Sequence, residues 1–201
     1  MKNKTDIIWL DSIDSTNDEA RRRISALDNL SVLSASRQTG GRGQRENKWH
    51  SEPDQNLTFS IILKSPKVKA ADQFCISEIT AVTLVEFLSD YGIEADIKWP
   101  NDIYVEGMKI CGILIENSLK GQSIDWSIIG IGLNVNQSSF PDYLPNPTSM
   151  ALCAQEKSPY SLKELLGKFM DMFSECYNSC LENESELKRV HELYLSKMWS
   201  R

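Results

Sequence analysis

The chain is poor in imidazole and in positive charge. Its 201 residues include only two histidines, His50 and His191, and 22 Lys and Arg face 28 Asp and Glu for a net charge of −6. At a sequence pI of about 5.1, the whole surface cannot act as a trap for nucleic acid or anionic lipid, because such binding needs clustered positive charge. Any anionic ligand must be held locally. The five cysteines, Cys75, Cys111, Cys153, Cys176 and Cys180, are odd in number and scattered, with no CxxC pair. That pattern argues against a disulfide framework and against structural zinc, and it suits small apolar residues in a reducing compartment. No apolar run approaches the length of a membrane span, and the apolar stretch near the N-terminus is too short for a signal sequence. No membrane association is expected, and the expected location is cytoplasmic. Neither GxGxxG after a strand nor GxxxxGK[ST] occurs, so Rossmann and P-loop nucleotide sites are unsupported.

What is present is an ordinary globular composition, 41% hydrophobic and 25% charged. The length suits one domain, or one with a small appendage, which buries roughly 70% of its extended-chain surface. Residues 7–10 are apolar and β-favouring and run into the polar string Asp11 to Asn17, so a strand is expected to feed a helix at about 17–26. Asp14, Ser15 or Thr16 can cap that helix, with Asp18 and Glu19 complementing its dipole. Further strands are expected at 31–36, 56–64, 95–99, 103–105, 109–116 and 127–135, with 103–105 and 109–116 forming a hairpin about Glu106-Gly107. Helical spacing covers 70–91, closed by Gly92, and again 161–181 and 184–199, whereas 137–147 holds three prolines and is a loop. Hairpins joined to single helices, without regular βαβ alternation, predict an α+β domain on a mixed or antiparallel sheet.

Three of the ten glycines fall within four residues, in Gly40-Gly41-Arg42-Gly43, followed by Arg45, Lys48 and Trp49. Glycines admit close approach of backbone amides to an anion, arginines supply forked donors, and tryptophan offers an apolar plate. A mobile surface loop with solvated charges is the plainer alternative for this fragment alone. Lys98-Trp99-Pro100-Asn101-Asp102 places a lysine at a strand end, suited to pairing with an anion or simply marking a turn. The glycines of Gly130-Ile131-Gly132 mark close approach of a ligand or another backbone, or only a glycine-containing strand. No nucleophile with a base is recognisable. Cations without bases suit a reaction in which developing negative charge is stabilised, such as nucleotidyl transfer to a carboxylate.

Six segments, in this order and spacing, resemble biotin protein ligases: Ser15-Thr16-Asn17, GGRGQRENKW (40–49), NLTFSIIL (56–63), KWPNDIYV (98–105), KICGILIE (109–116) and IGIGLNVN (129–136). The resemblance covers residues 5–200. It implies an α+β fold, a mixed and largely antiparallel sheet flanked by helices, like the catalytic domains of class II aminoacyl-tRNA synthetases and biotin ligases. Residues 1–201 would form that catalytic domain, with no room for a DNA-reading front end and without the usual C-terminal SH3-like domain. The implied reaction uses biotin and MgATP to make biotinyl-5′-adenylate, and then a lysine of a biotin carboxyl carrier protein forms an amide. By similarity, Ser15, Thr16, Asn17 and Gln38 would hold the biotin head, and Gly41, Arg42 and Gly43 the loop that closes over ligand. Lys98 would contact the carboxylate and then the adenylate phosphate, which makes Lys98 and Arg42 the implied catalytic pair. Lys109 and Asn134 would lie near the ATP phosphates and magnesium, for which no ligand set is assigned. Arg45, Trp49 and Asn101 would serve the adenylate, Trp49 flanking the adenine, and Gly112 would allow the close packing the biotin site needs. Gln44 departs from the basic residue many members carry after GRG, which implies weaker retention of the adenylate. A lipoate or octanoyl ligase of the same fold and a non-catalytic biotin-binding module are the rival readings. Monomer and homodimer are both open.

Overall fold

The computed structural model describes residues 6–154 and 159–199. The first five and last two residues, which enter the sequence analysis of the termini, lie outside them. A seven-stranded sheet runs in the order β1-β2-β3-β7-β6-β5-β4. β1 (Ile7–Ile13) pairs parallel with β2 (Val32–Gln38), and β2 pairs antiparallel with β3 (Leu57–Lys64). β4 (Asp96–Lys98) and β5 (Asp102–Val105) are antiparallel, as are β5 and β6 (Met108–Lys120). β7 (Ser123–Leu133) completes the sheet, which is mixed as expected.

β1 extends past residue 10, where the apolar run ends, because its ladder to β2 continues to Ile13↔Gln38. An edge strand tolerates this, since its polar side chains stand in water while the backbone stays paired. β3 is buried at every position except Lys64, as a central strand should be. At the β5–β6 turn both Glu106 (φ 50°) and Gly107 (φ 77°) are left-handed, the conformation two-residue hairpins require. β7 begins at Ser123 rather than 127 and ends at Leu133 rather than 135.

Helix α1 (Thr16–Arg22) corrects the sequence expectation twice. It stops four residues before position 26, and the expected local side-chain cap is not made by Ser15. Gln38, at the end of β2, reaches across and its Oε1 accepts the Thr16 N–H at 2.7 Å. A helix N-terminal amide needs an acceptor, and any side chain brought there can supply one. The expected helix over 70–91 is a 3-10 turn, Ala70–Asp72, followed by α2 (Phe74–Ser89), with Gly92 closing it at φ 69°. α2 packs against α4 (Leu162–Glu182) and α5 (Glu184–Ser196). Its buried Thr80 and Thr83 hydroxyls donate to the Ile76 and Ile79 carbonyls. α3 (Met150–Cys153) was not expected, being too short to show periodicity; its N-cap Ser149 accepts the Leu152 N–H at 3.3 Å. α5 ends at Ser196 rather than 199.

Two compact units divide the chain, residues 1–73 with 113–132 and residues 74–112 with 133–201. In the first, Ala20, Leu27, Leu33, Ile62 and Ile128 form a core cluster joined by Ile8, Ile24 and Trp126. In the second, Phe87 meets Phe169 edge-on, and Phe169, Phe173 and Tyr177 stack in succession along α4. No helix among the described residues is long and apolar enough to cross a membrane. None of the five cysteines, all among the described residues, is in a disulfide.

Candidate active site

The first unit gathers the residues of the first two motifs around the start of α1. Ser15, Thr16 and Asn17 are all buried. Asn17 is fixed on every side: its Nδ2 donates to the Leu114 carbonyl (3.2 Å) and Glu116 Oε2 (2.8 Å), and its Oδ1 accepts from Ser60 Oγ (2.6 Å). Gln38, with its Oε1 committed to Thr16, keeps its amide nitrogen beside Gly41.

The glycine-arginine segment is a folded loop rather than a loose one. Arg42 and Lys48 form an antiparallel bridge, the Trp49 N–H donates to the Gly41 carbonyl (3.0 Å), and the Gly43 N–H donates to the Asn47 carbonyl (2.7 Å). Arg45 is exposed at φ 58°. Arg42 Nη2 binds Asp18 Oδ1 (2.9 Å) and Glu116 Oε2 (3.0 Å), and Arg21 also reaches Glu116 at 2.5 Å. Asp18 and Glu116 are therefore the counter-charges that hold the loop's arginine. Glu116 closes the KICGILIE motif, and that position was the only signal in the sequence that could have found it.

The glycines of β7 mark close approach, but of side chains rather than backbone. A Cβ at Gly130 would overlap the Asn17 amide, and one at Gly132 would overlap the Trp49 indole. Trp49 is thus seated over β7 by the missing side chain of Gly132.

Burial by itself raises the Glu116 carboxyl, but the Asn17 amide and the Arg42 and Arg21 guanidiniums outweigh it and hold the group below its ordinary value. The hydrogen bond from Arg22 is the largest cause lowering both Asp14 and Glu19, and Asp14 lies well below the usual carboxylate range. A carboxyl depressed in the folded state stabilises fully above its unfolded-state value, about 4. That contribution is lost as pH falls through the folded value. The melting temperature is therefore expected to fall below about pH 4, and Glu116→Gln to fall less steeply there. An equal pH slope in wild type and variant would contradict the role of Glu116.

The second unit carries Lys98, Asn101, Lys109, Gly112 and Asn134. Lys98 is the last residue of β4, its Nζ 4.7 Å from the Tyr104 ring centroid and 5.2 Å from that of Trp199, donating to Tyr104 Oη at 3.3 Å. Among the described residues no carboxylate lies within ion-pair distance of it. Trp99, its neighbour, is 65% exposed, and the Trp99-Pro100 peptide is cis; Asn101 follows it directly. Asp102 stands opposite both Lys98 and Gly112 in the ladders, and it binds Lys109 at 2.7 Å. Asn134 is buried, its Nδ2 donating to the Thr148 carbonyl (2.8 Å) while its Oδ1 has no partner among the described residues. The sequence expectations assigned no site role to Asp18, Glu116, Asp102, Tyr104 or Trp199.

The family model described as the biotin/lipoate A/B protein ligase family matches residues 9–134. The bifunctional ligase/repressor BirA of Bacillus subtilis is 38% identical over 130 residues, 63% of this chain and 40% of that protein. The biotin–[acetyl-CoA-carboxylase] ligase of Paracoccus denitrificans is 33% identical over 125 residues, 61% of this chain and 51% of that protein. The chain thus spans about half the length of the curated relatives it matches. Among solved structures, biotin protein ligase from Aquifex aeolicus in complex with biotin and ATP superposes with a TM-score of 0.83 at 29% identity, covering 96% of this chain and 78% of that one. The sheet, the loop and the KWPND lysine thus lie on a scaffold shared with biotin ligases, and with more than half its residues matched, this chain belongs to the biotin/lipoate A/B protein ligase family.

Proposed function

We propose that the chain attaches biotin to a lysine of a biotin carboxyl carrier protein at the expense of ATP. A biotin carboxylate oxygen attacks the α-phosphorus of ATP and pyrophosphate leaves, giving biotinyl-5′-adenylate. The acceptor lysine amine then attacks the acyl carbon, AMP departs, and an amide remains. A carboxylate is a poor electrophile, so the protein's task is to align it with the phosphate and stabilise the charge that develops. The observation that carries this reading is Lys98, a half-buried ammonium on two aromatic faces with no carboxylate partner among the described residues. Such a group is suited to receive an oxyanion. Ser15, Thr16 and Gln38 serve the biotin head, Gly41, Arg42 and Gly43 the covering loop, Trp49 the adenine and Lys109 the ATP phosphates.

Magnesium belongs to this proposal with the nucleotide. Among the described residues no cluster of three His, Cys, Asp or Glu could hold a metal, which suits an ion bound largely through substrate phosphates and water. Asn134 Oδ1, buried and unpartnered, is the oxygen donor that fits it. When bound, such an ion would neutralise phosphate charge. The odd number and scattered spacing of the cysteines and the net charge of −6 support a cytoplasmic enzyme that does not read DNA.

The test is transfer of labelled biotin to a carrier domain with and without ATP, run beside labelled lipoate. Transfer of biotin that needs ATP supports the proposal. Transfer of lipoate alone selects the other branch of the family, and binding of biotin without any transfer leaves a binding module. Arg42→Ala is expected to weaken biotin or adenylate binding about tenfold, as loss of one charge-assisted contact predicts. Stability should change little, since exposed ion pairs contribute about 0–1 kcal/mol. An unchanged dissociation constant by calorimetry would remove the loop from the site.

A further inference from the structure

β4 is one of the two edge strands of the sheet, and residues 197–199 pair along it. The Ile97 N–H donates to the Lys197 carbonyl (2.8 Å), the Trp199 N–H donates to the Ile97 carbonyl (2.9 Å), and Met198 bridges Ile97 between them. These are main-chain bonds, so they set where residue 199 lies whatever its side chain. Side chains alternate across a strand, and Asp96 pairs with Tyr104 while Lys98 pairs with Asp102. Lys98 and Tyr104 are therefore diagonal neighbours on one face, within reach of a long side chain.

Trp199 lands on that face. Its ring stacks on Tyr104 with centroids 5.5 Å apart and planes at 22°, and the Lys98 ammonium lies within 6 Å of both rings. A lysine has four rotatable stem bonds, and fixing its ammonium costs the rotamer freedom of all of them. Two aromatic faces attract the ammonium and narrow its positions without neutralising it as a carboxylate would. Only one of its three N–H groups is given to Tyr104 Oη.

We propose that Trp199 is a positioning residue for Lys98. With Tyr104 it forms an aromatic shelf that aims the ammonium at the reacting carboxylate and phosphate. The proposal rests on the ligase reading above. It places a determinant of the first chemical step three residues beyond α5, about a hundred positions from the lysine it serves.

The experiment compares Trp199→Leu, which keeps apolar cover on β4 but has no ring face, with Trp199→Phe, which keeps a ring. Biotin-dependent exchange of pyrophosphate into ATP is measured for both and for wild type. Trp199→Leu is expected to lower kcat about tenfold, the size of a desolvated cation–π contact, with KM for biotin nearly unchanged, and Trp199→Phe to recover most of the loss. Affinity for a non-hydrolysable biotinyl-adenylate analogue completes the test: Trp199→Leu weakens it in wild type and has no further effect when combined with Lys98→Ala. Equal activity of all three proteins overturns the proposal. So does a loss that persists undiminished on the Lys98→Ala background, or one that Trp199→Phe fails to recover, since a merely structural role produces both. A wild-type chain with no biotin-dependent exchange removes the ligase reading, and the proposal with it; an active wild type with an indifferent Trp199 removes the proposal alone.

Discussion

Lys98→Ala is expected to cut biotin-dependent pyrophosphate exchange by at least about 100-fold, the usual effect of deleting one preorganised group that stabilises transition-state charge. The fold should survive. Lys98 has no carboxylate partner among the described residues, so its removal leaves no buried charge uncompensated. Tyr104 and Trp199 still have each other, and the ladder bonds of β4 are main-chain bonds. Melting within a few degrees of wild type together with loss of exchange is the expected pair of results. Near-normal exchange in this variant would sink the assignment of Lys98 to the reaction centre. A collapsed melting transition would mean that the aromatic pocket needs the ammonium for stability, contrary to the geometry.

Gly132→Ala is expected to have the second largest effect, and for a steric reason. The added methyl falls on the Trp49 indole, at the fused edge of the ring system. Gly132 lies between Ile131 and Leu133, both buried in β7, so the strand cannot retreat. Trp49 closes a loop whose residues 44–48 are exposed, so fewer packed neighbours resist a shift there than in β7. The indole should therefore leave its seat while the sheet keeps its register. Tryptophan emission should shift to longer wavelength and be quenched more readily, a change absent when Trp49→Phe is already present. On the proposed role of Trp49 beside the adenine, KM for ATP should rise about tenfold, as loss of a well-placed aromatic contact predicts. An unshifted spectrum would show that β7 yields instead. Gly130 differs in its neighbour: the side chain that a methyl would strike there is Asn17, locked by Ser60, Leu114 and Glu116.

Local signals carried much of the architecture. Residues 56–64 and 161–181 show their periods plainly, and β3 and α4 appear there within a residue or so. Glu106-Gly107 between two apolar runs specifies a tight hairpin, and both residues adopt the left-handed conformation it needs. The polar string from Asp11 was less legible, because a paired edge strand and a capping loop favour the same residue types there. The four residues of α3 are too few for any period to show.

The amino-acid sequence by itself determined that any anion binding must be local, which cations are available for it, and that two glycines interrupt an apolar strand at 130 and 132; that Asn17 and Trp49 are what they make room for came from the structure. Only the tertiary structure decided which groups meet. Gln38 caps a helix 22 positions before it, Asn17 and Glu116 meet across 99, and Trp199 comes to lie on Tyr104 beside Lys98. Periodicity and turn chemistry act over a few residues, whereas these contacts are set by strand register and by which segment covers a sheet edge. Those are properties of the assembled sheet, and no short window of sequence contains them.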